Sequence, residues 1–186
     1  MVAPMSKIAQ RYRALSRELT RRVDAVPADG WDVRSPCPDW TARDVLRHIL
    51  DSHRDMPGHA GEPLVLQKSV DDDPHAAWVE GRDAMQALLD DPERAGREYD
   101  GMFGRTSVEK TVDKFLGLDL LIHGWDIARA TGQDEHLPEE EVRRVHADAL
   151  TLADSLRMGG VCGPEVEVPA DAPEQDKLLA LLGRTP

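Results

Sequence analysis

Asp119 and His123 stand in the middle of the longest apolar stretch of the chain, Val108 to Thr131, and they constrain its fold more than any other feature. Phe115, Leu116, Leu118, Leu120, Leu121, Ile122, Trp125 and Ile127 make this segment read as a helix covered on several sides, ended by Gly132. At 3.6 residues per turn, positions 119 and 123 share one helical face. A carboxylate taken out of water there is costly unless it is paired or coordinated. The fold must therefore bring a partner to Asp119.

His48 is one such partner. It sits on a second expected helix, Ala42 to about Arg54, among Val45, Leu46, Ile49 and Leu50. Two imidazoles and one carboxylate from two helices would form a three-ligand metal site with an open position, a kind of site that bundle cores assemble from facing helices. The same pair also fits a structural Asp–His hydrogen bond one turn apart, which would satisfy both buried groups. The spacing is not the metalloprotease H-E-x-x-H pattern. Asp44, one turn before His48, can orient that imidazole or serve a capping box with Thr41. Asp126, after His123, is a second orienting carboxylate or a solvent-facing acid. His53, His59, His75, His136 and His146 fall in polar or loop contexts and read as surface residues. Cys37, between Pro36 and Pro38, reads as a packed, inert turn cysteine with no base nearby. Trp40, Trp78 and Trp125 read as core anchors.

The remaining pattern is helical. Ile8, Tyr12, Leu15, Leu19, Val23 and Val26 recur at three and four residues, an amphipathic helix stopping near Pro27–Gly30. Trp31 to Trp40 is an ordered turn, and residues 55–73 are a loop. Pro74 opens a third helix through Trp78, Met85, Leu88 and Leu89, closed by Asp91-Pro92. A polar loop precedes Val108. A further helix from Pro138 to about Leu156 should end at Gly159-Gly160, Val166–Val168 is a short extended segment, and Asp176–Leu182 is a terminal helical turn. With no internal repeat or domain boundary, residues 1–186 form one all-α unit, an antiparallel helical bundle with long connections.

Charge narrows the partners. Lys and Arg total 23 against 35 Asp and Glu, a net charge of −12, with no basic stripe, so nucleic acid and anionic membrane are disfavoured. Two distant cysteines argue against a disulfide framework and for a reducing cytoplasm. The first residues carry no signal-peptide core, and no apolar run approaches membrane-spanning length. Arg outnumbers Lys, and Ala, Asp and Gly are frequent, as in a GC-rich bacterial genome. Apolar positions on the first helix serve equally for a homodimer or for the chain's own core.

Two stretches together, Trp31…Ser35-Pro-Cys-Pro-Asp-Trp40-Thr-Ala-Arg-Asp-Val-Leu-Arg-His48 and Asp119…His123-Gly-Trp-Asp-Ile-Ala-Arg-Ala-Thr-Gly132, resemble the metal-binding domain of mycothiol-dependent maleylpyruvate isomerase. That family lies in the DinB/YfiT-like superfamily of four-helix proteins, and the tail from Val166 to Pro186 resembles an uncharacterised actinobacterial subfamily. The resemblance implies a DinB-like four-helix bundle with an extra C-terminal helical segment. It also implies a divalent metal, commonly zinc, with nickel or iron as alternatives, held by His48, Asp119 and His123. The isomerase has Glu where this chain has Asp119, which shifts the ion and leaves the metal preference open. The isomerase also carries a further C-terminal domain that helps form its active site, and this sequence ends soon after the bundle. The fold and metal site therefore transfer more securely than the reaction. The implied function is a mycothiol-dependent S-transferase or isomerase acting on a small thiol and an electrophilic substrate. A metal-dependent hydrolase and a non-catalytic metal- or thiol-sensing scaffold are the rivals.

Overall fold

A computed structural model describes residues 5–158 and 161–186. The architecture is mostly helical, with one two-stranded sheet among the described residues. Helix α1 (Lys7–Asp24) starts where the Ser6 side chain accepts the Ala9 amide. Helix α2 (Ala42–Asp55) opens on a full capping box, with Thr41 and Asp44 each taking a backbone amide of the other. Helix α3 (Pro74–Leu89) is capped by Asp73 and has Pro74 at its first position, where a missing N–H costs nothing. A short α4 (Pro92–Ala95) follows.

Helix α1 packs on α3 and on α6 (Gly117–Thr131), and α2 packs on the same two helices. Their facing stripes form the core: Leu15, Leu19, Leu46, Ile49, Trp78, Met85, Leu88, Ile122, Trp125 and Ile127 are buried. Each such side chain stabilises the fold by about 1.5–3 kcal/mol through loss of apolar surface to water. Helix α7 (Glu139–Met158) packs against α8 (Glu174–Leu181), where Leu178 to Leu182 are buried throughout. No helix is long and apolar enough to cross a membrane among the described residues.

Several expectations change. The polar loop before Val108 is a hairpin, β1 (Glu98–Gly101) against β2 (Gly104–Ser107), with Met102 and Phe103 at its tip. Residues 56–60 of the expected loop form a 3₁₀ turn. The single helix expected over Val108–Thr131 is interrupted: α5 (Val108–Thr111) passes into a π turn, Val112–Leu116, before α6. Arg11 compensates the widened turn by donating to the Asp113 carbonyl and carboxylate and, bidentately, to Glu141. Val166–Val168 is not a strand, although the Val166 amide donates to the Ala180 carbonyl. The expected stop at Gly159-Gly160 lies outside the described residues.

His53 is not a surface residue. It is fully buried, one turn beyond Ile49 on the apolar face of α2. Its Nδ1 donates to the Ile49 carbonyl at 2.7 Å, so its Nε2 accepts from the Tyr12 hydroxyl at 2.8 Å. His146 is also partly covered and pairs with Glu174. His59, His75 and His136 are exposed as expected or largely so.

Burial lowers the His53 pKa from 6.5 to about 4. The unfolded chain then binds a proton that the folded chain refuses, so stability is full above pH 6.5 and falls as pH drops towards 4, by up to about 3 kcal/mol. Urea unfolding at pH 7 and pH 4.5 should show this loss in the wild type and a smaller one in His53→Gln. Equal losses in both would refute the assignment.

Candidate metal centre

Helices α2 and α6 bring His48, Asp119 and His123 together at their contact. His48 Nε2 lies 3.5 Å from Asp119 Oδ2, and His123 Nε2 lies 4.0 Å from Asp119 Oδ1. The two imidazole rings meet edge to face, 4.9 Å between centroids. One donor atom from each of the three residues lies within 4.8 Å of the others. These separations exceed the usual 2.7–3.2 Å of a direct N–H···O bond, so the donors converge without close direct bonds to one another. Side-chain exposure rises from 10% at His123 through 15% at Asp119 to 36% at His48, which makes His48 the solvent side of the cluster.

Electrostatics follow from burial. Desolvation alone would raise the Asp119 pKa, but the His48 and His123 imidazoles and Ser52 hold it below its ordinary value. Asp119 in turn raises the His48 pKa against the opposing effect of burial. Among the described residues, the ion-pair partners of Asp119 are these two histidines, and no Arg or Lys neutralises it.

The orientation of His123 is fixed from behind. Its Nδ1 lies 2.9 Å from Asp126 Oδ2. Asp126 is fully buried; desolvation opposes ionisation, yet the His123 hydrogen bond and the Arg184 charge bring its pKa down to about 2. An ionised carboxylate only accepts, so Nδ1 carries the proton and the Nε2 lone pair faces His48 and Asp119. Asp126 Oδ2 also accepts from Arg184 Nη2 at 2.9 Å and from the Cys37 thiol at 3.2 Å, while Oδ1 accepts from Arg184 Nε at 3.3 Å.

The Trp31–Thr41 turn delivers Cys37 and Trp40. Ser35 N donates to the Trp40 carbonyl, Trp40 N to the Cys37 carbonyl, and Asp39 takes a left-handed φ of 65° between them. Burial, with the Asp126 charge, pushes the Cys37 thiol up to about 12, so it stays protonated. Trp40 is half-buried and stands over both imidazoles, 5.2 Å from His48 and 6.2 Å from His123 by centroid, so it walls the cluster as well as anchoring the core.

Asp44 does not orient His48. Both Thr41 donors occupy its Oδ2 and Arg47 pairs with its Oδ1, so the cap has taken the carboxylate. The expectation that nothing basic lies near Cys37 is also corrected, because the fold seats Asp126 and His123 against it. Arg184 was not foreseen at all. Its only local signal is Gly183, with φ 81°, ending an apolar turn and turning the next residue inward.

What this geometry defines is a helical protein with a partly buried two-histidine, one-carboxylate cluster whose donors could hold a divalent cation. The chain belongs to the mycothiol maleylpyruvate isomerase N-terminal domain family, whose model matches residues 12–131 and so includes all three cluster residues and Asp126. It is 30% identical over 165 residues to uncharacterised proteins of Mycobacterium tuberculosis strains CDC 1551 / Oshkosh and H37Rv, covering 86% of this chain and 88% of each relative. No solved structure matches.

The thiols offer a direct check. In the native protein, a disulfide reagent at pH 7.5 should modify the partly buried Cys162 first and Cys37 only at the rate of unfolding. Immediate labelling of Cys37 would contradict its buried, protonated state.

Proposed function

We propose that His48, Asp119 and His123 form a divalent-metal centre, zinc foremost, at which a low-molecular-weight thiol of the mycothiol class is activated. The thiol sulfur would form a bond to an electrophilic carbon while the π bond of an activated alkene, an epoxide C–O bond or a carbon–halide bond breaks, the electron pair going to carbon, oxygen or the departing halide, in S-transfer or in a thiol-assisted isomerisation. The observation that carries this reading is the donor set itself: two imidazoles and a largely buried carboxylate that lacks an Arg or Lys partner, converging within 4.8 Å. When bound there, a divalent metal supplies Lewis acidity that strips the proton from a coordinating thiol.

The chain's own residues do the rest. Asp126 holds the His123 tautomer, and Asp119 contributes negative charge in a weakly hydrated setting. His48 lies on the exposed side, where a thiol would enter, and Trp40 covers the imidazoles with an apolar wall. The thiol proton leaves to solvent on the exposed His48 side. In this reading α1, α2, α3 and α6 are the four helices of a DinB-like bundle in a cytoplasmic protein, and its ligands are a small thiol and an electrophile.

Three donors with one exposed side favour a reactive site over the closed, four-ligand arrangement of a structural metal or a sensing scaffold. Elemental analysis should find about one metal per chain after loading with zinc, and mycothiol should bind the loaded form and not the metal-free form. His123→Ala should cost more than the 10–100-fold in affinity typical of losing an outer partner, while the helical content remains. Full metal retention in that variant would remove His123 from the ligand set, and metal without thiol binding would favour hydrolysis or sensing.

A further inference from the structure

His123 belongs to two overlapping donor groups. Its Nε2 faces His48 and Asp119. Its Nδ1 faces Cys37 Sγ at 3.9 Å and Asp126 Oδ2 at 2.9 Å, and this second group also converges within 4.8 Å, with all three residues buried. By donor type alone, sulfur, imidazole and carboxylate suit zinc at least as well as two imidazoles and a carboxylate. One imidazole thus stands between two competing sites on opposite sides of its ring.

Arg184 separates them. Its Nη2 is 2.9 Å from Asp126 Oδ2 and 3.3 Å from Cys37 Sγ, two of the three atoms a cation would need. We propose that Arg184 is a positioning residue that assigns the metal: its guanidinium takes the cation's place in the Cys37–His123–Asp126 group and directs a divalent ion to His48–Asp119–His123. The proposal rests on the metal reading above, and its blocking element can be tested without it.

The guanidinium is held in place and cannot drift aside. Leu178 to Leu182 are buried, Nη1 donates to the Leu182 carbonyl at 2.8 Å, and Gly183 packs so closely that a Cβ there would meet the Gly163 backbone at 3.0 Å. A fixed positive charge beside the same oxygen repels a divalent ion. It also leaves Asp126 free to keep the His123 Nδ1 proton, which points the Nε2 lone pair at the other group. Arg184 lies beyond residues 12–131, so this device belongs to the chain's own tail, outside the segment the family model matches.

Cobalt(II) distinguishes the two groups, because a cysteine ligand adds a thiolate-to-cobalt charge-transfer absorption that imidazole and carboxylate do not. The wild type should bind one equivalent of cobalt with ligand-field bands alone. Arg184→Gln, which keeps hydrogen bonding without charge, should acquire the thiolate band, the Cys37 proton passing to buffer and the His123 proton moving from Nδ1 to Nε2. Arg184→Lys should restore the wild-type spectrum, and Arg184→Gln/Cys37→Ser should lack the band.

A thiolate band in the wild type overturns the proposal, whatever becomes of any variant's folding. So does a folded Arg184→Gln, verified by circular dichroism, that binds cobalt without the band. If the wild type binds no cobalt but Arg184→Gln binds it through sulfur, the metal centre at His48 falls and the blocking role of Arg184 stands. If neither protein binds cobalt, both readings fall.

Discussion

A buried carboxylate must be met by positive charge or by hydrogen-bond donors, and α6 carries two of them on either side of His123. Asp126 is fully met, by an imidazole, a guanidinium and a thiol. Among the described residues, the charged partners of Asp119 are two imidazoles at ion-pair distances, with Ser52 as a neutral donor. The same helix thus holds one acid met by a guanidinium and one that has no Arg or Lys partner among the described residues, and the proposed metal centre rests on that difference. The packing of α2 on α6, the Trp31–Thr41 turn and the segment after α8 that carries Arg184 place these partners.

The reach of sequence reasoning follows the same division. His48, Asp119 and His123 were legible because their meeting depends on helical spacing and on two apolar stripes that must face each other. The Ser6 and Asp73 caps emerged only in the structure, while the starts of α2 and α3 were legible through Thr41 and Pro74, whose capping chemistry is local. Asp44 was ambiguous for that reason, since a carboxylate at the third helical position serves the cap before it serves a neighbour. His53 could have been found: it continues the Val45, Leu46, Ile49, Leu50 stripe, and only its polar neighbours Ser52, Arg54 and Asp55 hid that. The pairing of Cys37 and Arg184 with Asp126 had no comparable signal, because those contacts join distant segments.

The hairpin and the π turn show a different limit. Each of β1 and β2 has four residues, mostly polar and without an alternating apolar pattern, so nothing in their composition distinguishes them from a loop. The π turn departs from a regular helix by a single widened turn, and what sustains it is Arg11, whose guanidinium spans from α1 to Asp113 and to Glu141 on α7. Gly117 leaves room for that guanidinium, since a Cβ there would lie 2.7 Å from Arg11 Nη1. This sets the start of α6 two residues before Asp119.

Cys37 and Arg184 are 147 positions apart in sequence, and Arg184 and Asp126 are 58 apart. Contacts spanning such lengths are slow to close in folding, because the intervening chain must already be ordered. Nothing in an unfolded chain prefigures this cluster, so a ligand held through His123, which Asp126 orients, selects the assembled molecule and adds its binding free energy to the stability of the fold. Occupancy and thermal resistance are in that sense one quantity, with the chain's most distant parts joined through a single imidazole.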